Sequence, residues 1–266
     1  MSEDSIHLHI LNGDYAFELW KECGFSGEGL VWRETYLEGP LPETEDLHLF
    51  RTARTDFLSQ FPEIKHIDKS MLYKYLQKMD DSVLQLPGSA VLMLWFDACI
   101  FDQTILMRIL YLLSLRQNDA PDVFLYCCDD HCLTAADFRR GIGNKIHLPS
   151  SDLTLGAEAW RLFQKKDAAG MIRLSEKEDF SRLSKMQKAL LRCAEDVPDR
   201  ITGLNRTQRQ ILQLVSGGCR SFPEIFRGLD SFEDFPFLGD TACRRHLDLL
   251  VRSGHLVCGG EGYKLP

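Results

Sequence analysis

No stretch of the chain approaches the roughly 18 consecutive apolar residues that a membrane-crossing helix needs. The opening segment MSEDSIHLHILNGD places acids, not lysines, ahead of its first apolar run. Neither a membrane span nor a secretion signal is therefore expected, and the sequence predicts a cytoplasmic protein. Short motifs of several enzyme classes are missing too: there is no G-x-S-x-G, no G-x-x-x-x-G-K-[ST] and no H-E-x-x-H. Internal repeats, low-complexity tracts and paired C-x₂-C knuckles are also absent, so neither a solenoid nor a knuckle-type zinc site is expected. Positive charge is scarce. Net charge is -8, and residues 1–150 hold 13 Lys+Arg against 23 Asp+Glu, residues 151–200 hold 10 against 9, and residues 201–266 hold 8 against 7. The acidic field of the first part repels a phosphate backbone, so any contact with nucleic acid falls to the C-terminal part.

What is present suffices for a sizeable core. At 266 residues and 44% hydrophobic, the chain suits one large domain plus a smaller one, or two of moderate size. The nine cysteines are odd in number and scattered through apolar segments, the usage of reduced, buried thiols. Four short runs, 6–11 (IHLHIL), 29–34 (GLVWRE), 90–96 (AVLMLWF) and 122–128 (DVFLYCC), are apolar on both faces and alternate with helical patterns. That predicts an α/β domain over 1–150, a Rossmann-like or flavodoxin-like parallel sheet with crossover helices. Residues 151–200 predict a polar helical linker of two amphipathic helices ended by Pro198. Residues 201–266 predict three helices and a hairpin about a Gly-rich turn, the order of a winged helix. Two of those helices open with capping boxes, Asn205 with Gln208 and Ser221 with Glu224, and Asp240 can cap the third.

Asn12-Gly13-Asp14 follows the first strand directly. A glycine there lets backbone approach a ligand while the next helix offers free N–H groups to an anion; the alternative is a tight turn with Asp14 as N-cap. With all four strands parallel, Asn12, Asp14, Arg33, Glu34, Asp97, Asp129 and Asp130 emerge on one rim. Held close, such carboxylates bind Mg²⁺ or shift one another's pKa. Cys127 and Cys128 must point to opposite faces of a strand. Cys128, His131 and Cys132 could ligate zinc from a turn but lack a fourth ligand, so no metal site is assigned. In the third C-terminal helix Thr241, Arg244, Arg245, Asp248 and Arg252 share one face. That face suits a major groove or a protein partner, although Asp248 sits in its middle and the link DSFEDFPFLG is longer than a helix-turn-helix allows.

Taken together, HILNGD (His9 to Asp14), VWRETYLEGP with Trp32 and Arg33, the pair Arg51 and Arg54, LWFDACIFDQ with Asp97, Asp102 and Gln103, GLNRTQRQIL, and LGD at Gly239-Asp240 resemble the bacterial domain of unknown function numbered 1835 with its C-terminal helical domain. The resemblance spans nearly the whole chain. It marks His9, Asp14, Trp32, Arg33, Arg51, Arg54, Asp102 and Gln103 as family-motif positions, and it brings no established activity. Where a glutamate is frequent in that family, this chain has Gln208.

Rim and resemblance together give an expected ligand set of His9, Asn12, Gly13, Asp14, Trp32, Arg33, Arg51, Arg54, Asp97, Asp102 and Gln103. The ligand expected is small and anionic or nucleotide-like. The nucleic-acid set is Thr241, Arg244, Arg245 and Arg252. The preferred reading is a regulatory or nucleic-acid-associated protein. One alternative is an enzyme handling phosphoryl groups or nucleotides, with Asp14, Asp97 and Asp102 holding Mg²⁺ and Arg33, Arg51 and Arg54 positioning phosphate. Another is a protein-interaction adaptor using SFEDFPF.

Overall fold

A computed structural model describes residues 6–62, 64–116, 120–128, 134–233 and 238–266. Its layering follows from the alternation along β3 (Val91–Phe96), all of which is buried. Val91, Met93 and Trp95 join one apolar cluster, and Leu92, Leu94 and Phe96 join the other. A strand covered on both sides must be apolar on both sides. Around it lie β1 (Leu8–Leu11), β2 (Glu28–Val31), β4 (Asp122–Cys127) and β5 (Ile146–His147), in the order β2-β1-β3-β4-β5. The four predicted strands are all parallel. The short β5, which the sequence reading did not expect, runs antiparallel to β4 and makes the sheet mixed.

From β1 the chain steps to β2 on one side through α1 (Gly13–Cys23), and β3 steps to β4 on the other through α4 (Ile100–Ser114). Right-handed crossovers taken in opposite directions place their helices on opposite faces. Accordingly α1 and α5 (Ala135–Asn144) cover one face through Ala16, Trp20, Phe138 and Ile142. The other face is covered by α4 together with α2 (Leu47–Leu58) and α3 (Lys69–Leu84). In this order the chain reverses its direction of travel between β1 and β3, so a crevice opens beyond their carboxyl ends.

Residues 150–195 depart from the expected linker. They form three helices, α6 (Ser150–Gln164), α7 (Ala168–Lys177) and α8 (Ser184–Glu195), where two were expected. Lys166, at φ 53, turns the chain after α6, and Asp167 caps α7. Helices α6 and α8 pack on α4 with Trp160 and Leu190 fully buried, so the segment belongs to the large core. Enclosed between sheet and helices, α4 is buried almost all round, with apolar residues on every face of its later turns and polar Asp102, Gln103 and Thr104 gathered at its start.

The C-terminal part has its own small core of Ile211, Val215, Ile225, Leu229, Cys243, Leu247, Leu250 and Leu256. It is built from α9 (Arg206–Ser216), α10 (Phe222–Leu229), α11 (Asp240–Arg252) and the hairpin β6 (Val257–Gly259) with β7 (Gly262–Lys264). Both expected capping boxes form. Gly239, not Asp240, is the N-cap of α11. Leu238 packs against both cores. Among the described residues, no helix is long and apolar enough to cross a membrane.

Helices α4 and α6 approach closely at Gly156, where an added Cβ would stand 2.7 Å from Leu110 Cβ. Alanine gains about 1 kcal/mol over glycine as a helix former, whereas overpacking a core costs about 1–3 kcal/mol. Gly156→Ala is expected to lower stability in urea denaturation despite the better helix former. A gain in stability would show that α6 is not close-packed on α4.

Candidate functional site: a cleft at the strand ends

The turn after β1 shapes the floor of the site. Gly13 opens α1 at φ +81 with nothing within 4 Å of an added Cβ, so the backbone there is open to a ligand. Asn12 is the N-cap of α1 but does not cap it with its side chain. Its amide instead donates to Asp102 Oδ1 in the first turn of α4. The other carboxylate oxygen, Oδ2, accepts the Asp97 N–H at 2.7 Å. Gln103 Nε2 donates to the Asp97 carbonyl at 2.5 Å and to Cys127 Sγ at 3.4 Å. Asp102 therefore ties the carboxyl ends of β1 and β3 together at the point where the crevice opens. Burial, and then the neighbouring Asp97 carboxylate, push Asp102 well above the usual carboxylate range.

Over this floor lies a cleft of about 610 Å³. Asn12, Gly13 and Arg33 of the expected ligand set line it, joined by Glu34, Thr35, Glu38 and Cys99. Leu37, Leu58, Phe61, Ile64 and Phe101 form an apolar wall. The start of α11, residues 238–242, with Arg245, completes the lining. Three helices, α1, α4 and α11, thus begin at one cavity; Cys99 Sγ caps α4 at the Asp102 N–H and Asp240 Oδ1 takes the Thr241 N–H of α11, while neither Asn12 nor Gly239 supplies a side-chain cap. Unsatisfied first-turn N–H groups and helix dipoles favour anions.

Arg33 and Asp14 meet, as the rim geometry requires. Arg33 Nε donates to the Asp14 carboxylate at 3.0 and 3.2 Å, Nη2 also pairs with it, and Nη1 donates to Tyr75 OH at 2.9 Å. The guanidinium holds Asp14 below its ordinary pKa. Both side chains are about half exposed or more, 48% and 68%, so the pair contributes little stability and an incoming anion can take the place of Asp14. Asp14 is therefore a first-turn partner of Arg33, not the N-cap.

The rest of the expected ligand set is built into the fold. Arg54 is wholly buried, and its five N–H donors are all used. Two go to Glu34, at 2.6 and 3.2 Å, and three to the carbonyls of Thr35, Glu38 and Pro40. None remains for a phosphate. Arg54 instead fixes the 34–40 loop that lines the cleft. Arg51 pairs with Asp80 at 3.1 Å, and Arg108 shares that carboxylate. Trp32 is buried with its Nε1 donating to Tyr36 OH at 3.1 Å. His9 lies on the far face of β1, accepting from Trp95 Nε1 at 3.0 Å on Nδ1, with Nε2 3.0 Å from the Ser26 carbonyl.

The trio expected to hold Mg²⁺ is not assembled. Asp97 and Asp102 stand close together with the Cys99 thiol, while Asp14 pairs with Arg33. Both Asp102 oxygens already accept protein donors, and a thiol is a poor ligand for Mg²⁺, so these residues do not fit the ion. Burial raises the Cys99 thiol well above its ordinary pKa, which also disfavours it as a nucleophile. Cys127 and Cys128 go to opposite faces as expected, each against a different apolar cluster. Asp129, Asp130, His131 and Cys132 lie outside the described residues.

The expected nucleic-acid set is also divided. Thr241 and Arg245 face the cleft. Arg245 pairs with Glu38 and stacks on Phe61, 3.7 Å from the ring centre. Arg244 stacks on Phe222 at 3.6 Å, and Arg252 is exposed. In the SFEDFPF segment Glu233 is buried in a bidentate pair with Arg192, and residues 234–237 lie outside the described residues. The apolar wall and Glu38 were missed from sequence. Gly239-Asp240, and the motif VWRETYLEGP that contains Glu38, were the nearest signals.

No family model and no curated protein matches the chain. Among solved structures it is similar to a Walker-type ATPase of Pyrococcus abyssi at 14% identity and a TM-score of 0.21, over 97% of this chain and 81% of that one. A score that low carries no argument about fold or function.

Two outcomes test this geometry. Asp102→Leu, which strands the Asn12 amide and the Asp97 N–H, is expected to cost about 2–4 kcal/mol in urea denaturation, and Asp102→Asn less; equal stability of the leucine variant would remove the tie. Burial lowers His9 from 6.5 to about 4, so between those pH values the unfolded chain binds the extra proton. Stability should fall as pH drops from about 6.5 to about 4, by up to about 3 kcal/mol from this group. His9→Asn, less stable at pH 7, should show a flatter profile there; an unchanged slope would put the titration elsewhere.

Proposed function

We propose that this is a cytoplasmic regulatory protein whose α/β half binds a small anionic, nucleotide-like ligand in the cleft between β1 and β3, with the C-terminal helices reading its occupancy. The observation that carries the proposal is the cleft itself: three helix starts and the half-exposed Arg33 guanidinium face one cavity that also has an apolar wall. Such a site suits an anionic group joined to a flat or apolar body. The position agrees with the rule that doubly wound sheets bind ligands where their strand order reverses. The resemblance to the bacterial family 1835 supports the same region, since Asp14, Arg33 and Gly239-Asp240 are among its motif residues.

We read α9 to α11 and the hairpin as a winged-helix-like output module. Contact with nucleic acid through Arg245 requires α11 to leave the cleft, so the regulatory reading is preferred to one of constitutive DNA binding. The enzyme reading loses support with its Mg²⁺ trio.

Thermal-shift screening against nucleoside mono- and diphosphates, with and without Mg²⁺, tests the proposal. A ligand at about 100 times its Kd adds roughly 2.7 kcal/mol. Stabilisation without Mg²⁺, lost in Arg33→Gln and kept or increased in Asp14→Asn, is expected. Stabilisation that requires Mg²⁺ and vanishes in Asp14→Asn would overturn the proposal in favour of an enzyme.

A further inference from the structure

Arg245 is the one guanidinium that the C-terminal module sends into the cleft wall. Its position is built from both halves of the chain. It pairs with Glu38 of the loop after β2 and lies on the Phe61 ring beyond α2. Glu38 is itself part-buried, and burial raises its carboxyl pKa against the lowering effects of Arg245 and Arg54. Arg33, the other cationic side chain that lines the cleft among the described residues, is likewise held by a single carboxylate, Asp14. The cavity thus has two guanidinium groups, one from each half, each occupied by an acid that a ligand's anionic group can replace.

We propose that Arg245 is a ligand-contacting residue and that the cleft takes a ligand with two anionic groups, one met by Arg33 and the other by Arg245, with Asp14 and Glu38 holding their places in the empty protein. The inference rests on the anion-binding reading of the cleft and deepens it. Because one arginine comes from each half, the bound ligand cross-links the α/β core to α11. Occupancy is thereby converted into tighter docking of the C-terminal helices.

Titration calorimetry of the full chain with ADP and with inorganic pyrophosphate tests this, on wild type, Arg33→Gln, Arg245→Gln, Glu38→Gln and Arg244→Gln. Arg244 stacks on Phe222 outside the cleft lining and serves as the control. The expected result is a loss of affinity of about tenfold or more in each of Arg33→Gln and Arg245→Gln, as for a charge-assisted hydrogen bond. Glu38→Gln should bind more tightly, which a merely structural role of the Arg245–Glu38 pair would not produce, and Arg244→Gln should bind as wild type. Binding weakened by Arg33→Gln but unchanged by Arg245→Gln and Glu38→Gln overturns this inference and leaves the anion site standing. Absence of binding by either probe at millimolar concentration overturns both.

Discussion

The tie between Asp102, Asn12 and the Asp97 backbone fixes the shape of the crevice beyond the ends of β1 and β3. Two parallel strands whose following helices lie on opposite faces leave a gap beyond their carboxyl ends. Asp102 spans that gap with one oxygen on each side. It thereby sets how α1 and α4 begin and where Gly13 and Cys99 present their backbones. Burying a carboxyl group is costly unless its oxygens are satisfied, and here both are. The pKa of Asp102 is raised by its burial and by the neighbouring Asp97 carboxylate, against the lowering effect of these two hydrogen bonds.

A second buried charge does similar service for the loop above the floor. Glu34 and Arg54 neutralise each other in the core, and the three remaining donors of Arg54 hold the carbonyls of residues 35, 38 and 40. Removing either partner would leave an uncompensated charge in a dry environment. The loop so fixed delivers Glu38 to Arg245 and Leu37 to the apolar wall. Docking of α11 therefore depends on an ion pair that never touches it. The polar group around Arg192 and Glu233, with Asp196 and Thr207, ties α8 to α9 at the other end of the module.

Much of this was legible in the sequence, and the parts that were not share a physical cause. Runs apolar on both faces named the parallel strands, because only a covered sheet tolerates them. The capping boxes at Asn205 and Ser221 named helix starts, since they are satisfied within four residues. Parallel strands also brought Asp14 and Arg33 to one edge. Arg54 was misjudged because its carboxylate, Glu34, lies twenty residues upstream, and nothing local distinguishes a buried arginine from one that waits for phosphate. Arg245 looked like part of an exposed basic face for the same reason: its partners Glu38 and Phe61 are supplied by the other half of the chain. The additional helix in 151–200 was hidden by its polar composition, and β5 by its length of two residues.

Hydrogen exchange of backbone amides in the full chain, with and without saturating ADP, reads whether one ligand engages both halves of the molecule. A site shared by both halves requires slower exchange in three separate segments at once, the first turns of α1, α4 and α11, with little change at the opposite edge of the sheet. Protection confined to some other surface, or none in α11 while α1 and α4 are protected, would contradict a single site shared by both halves of the molecule.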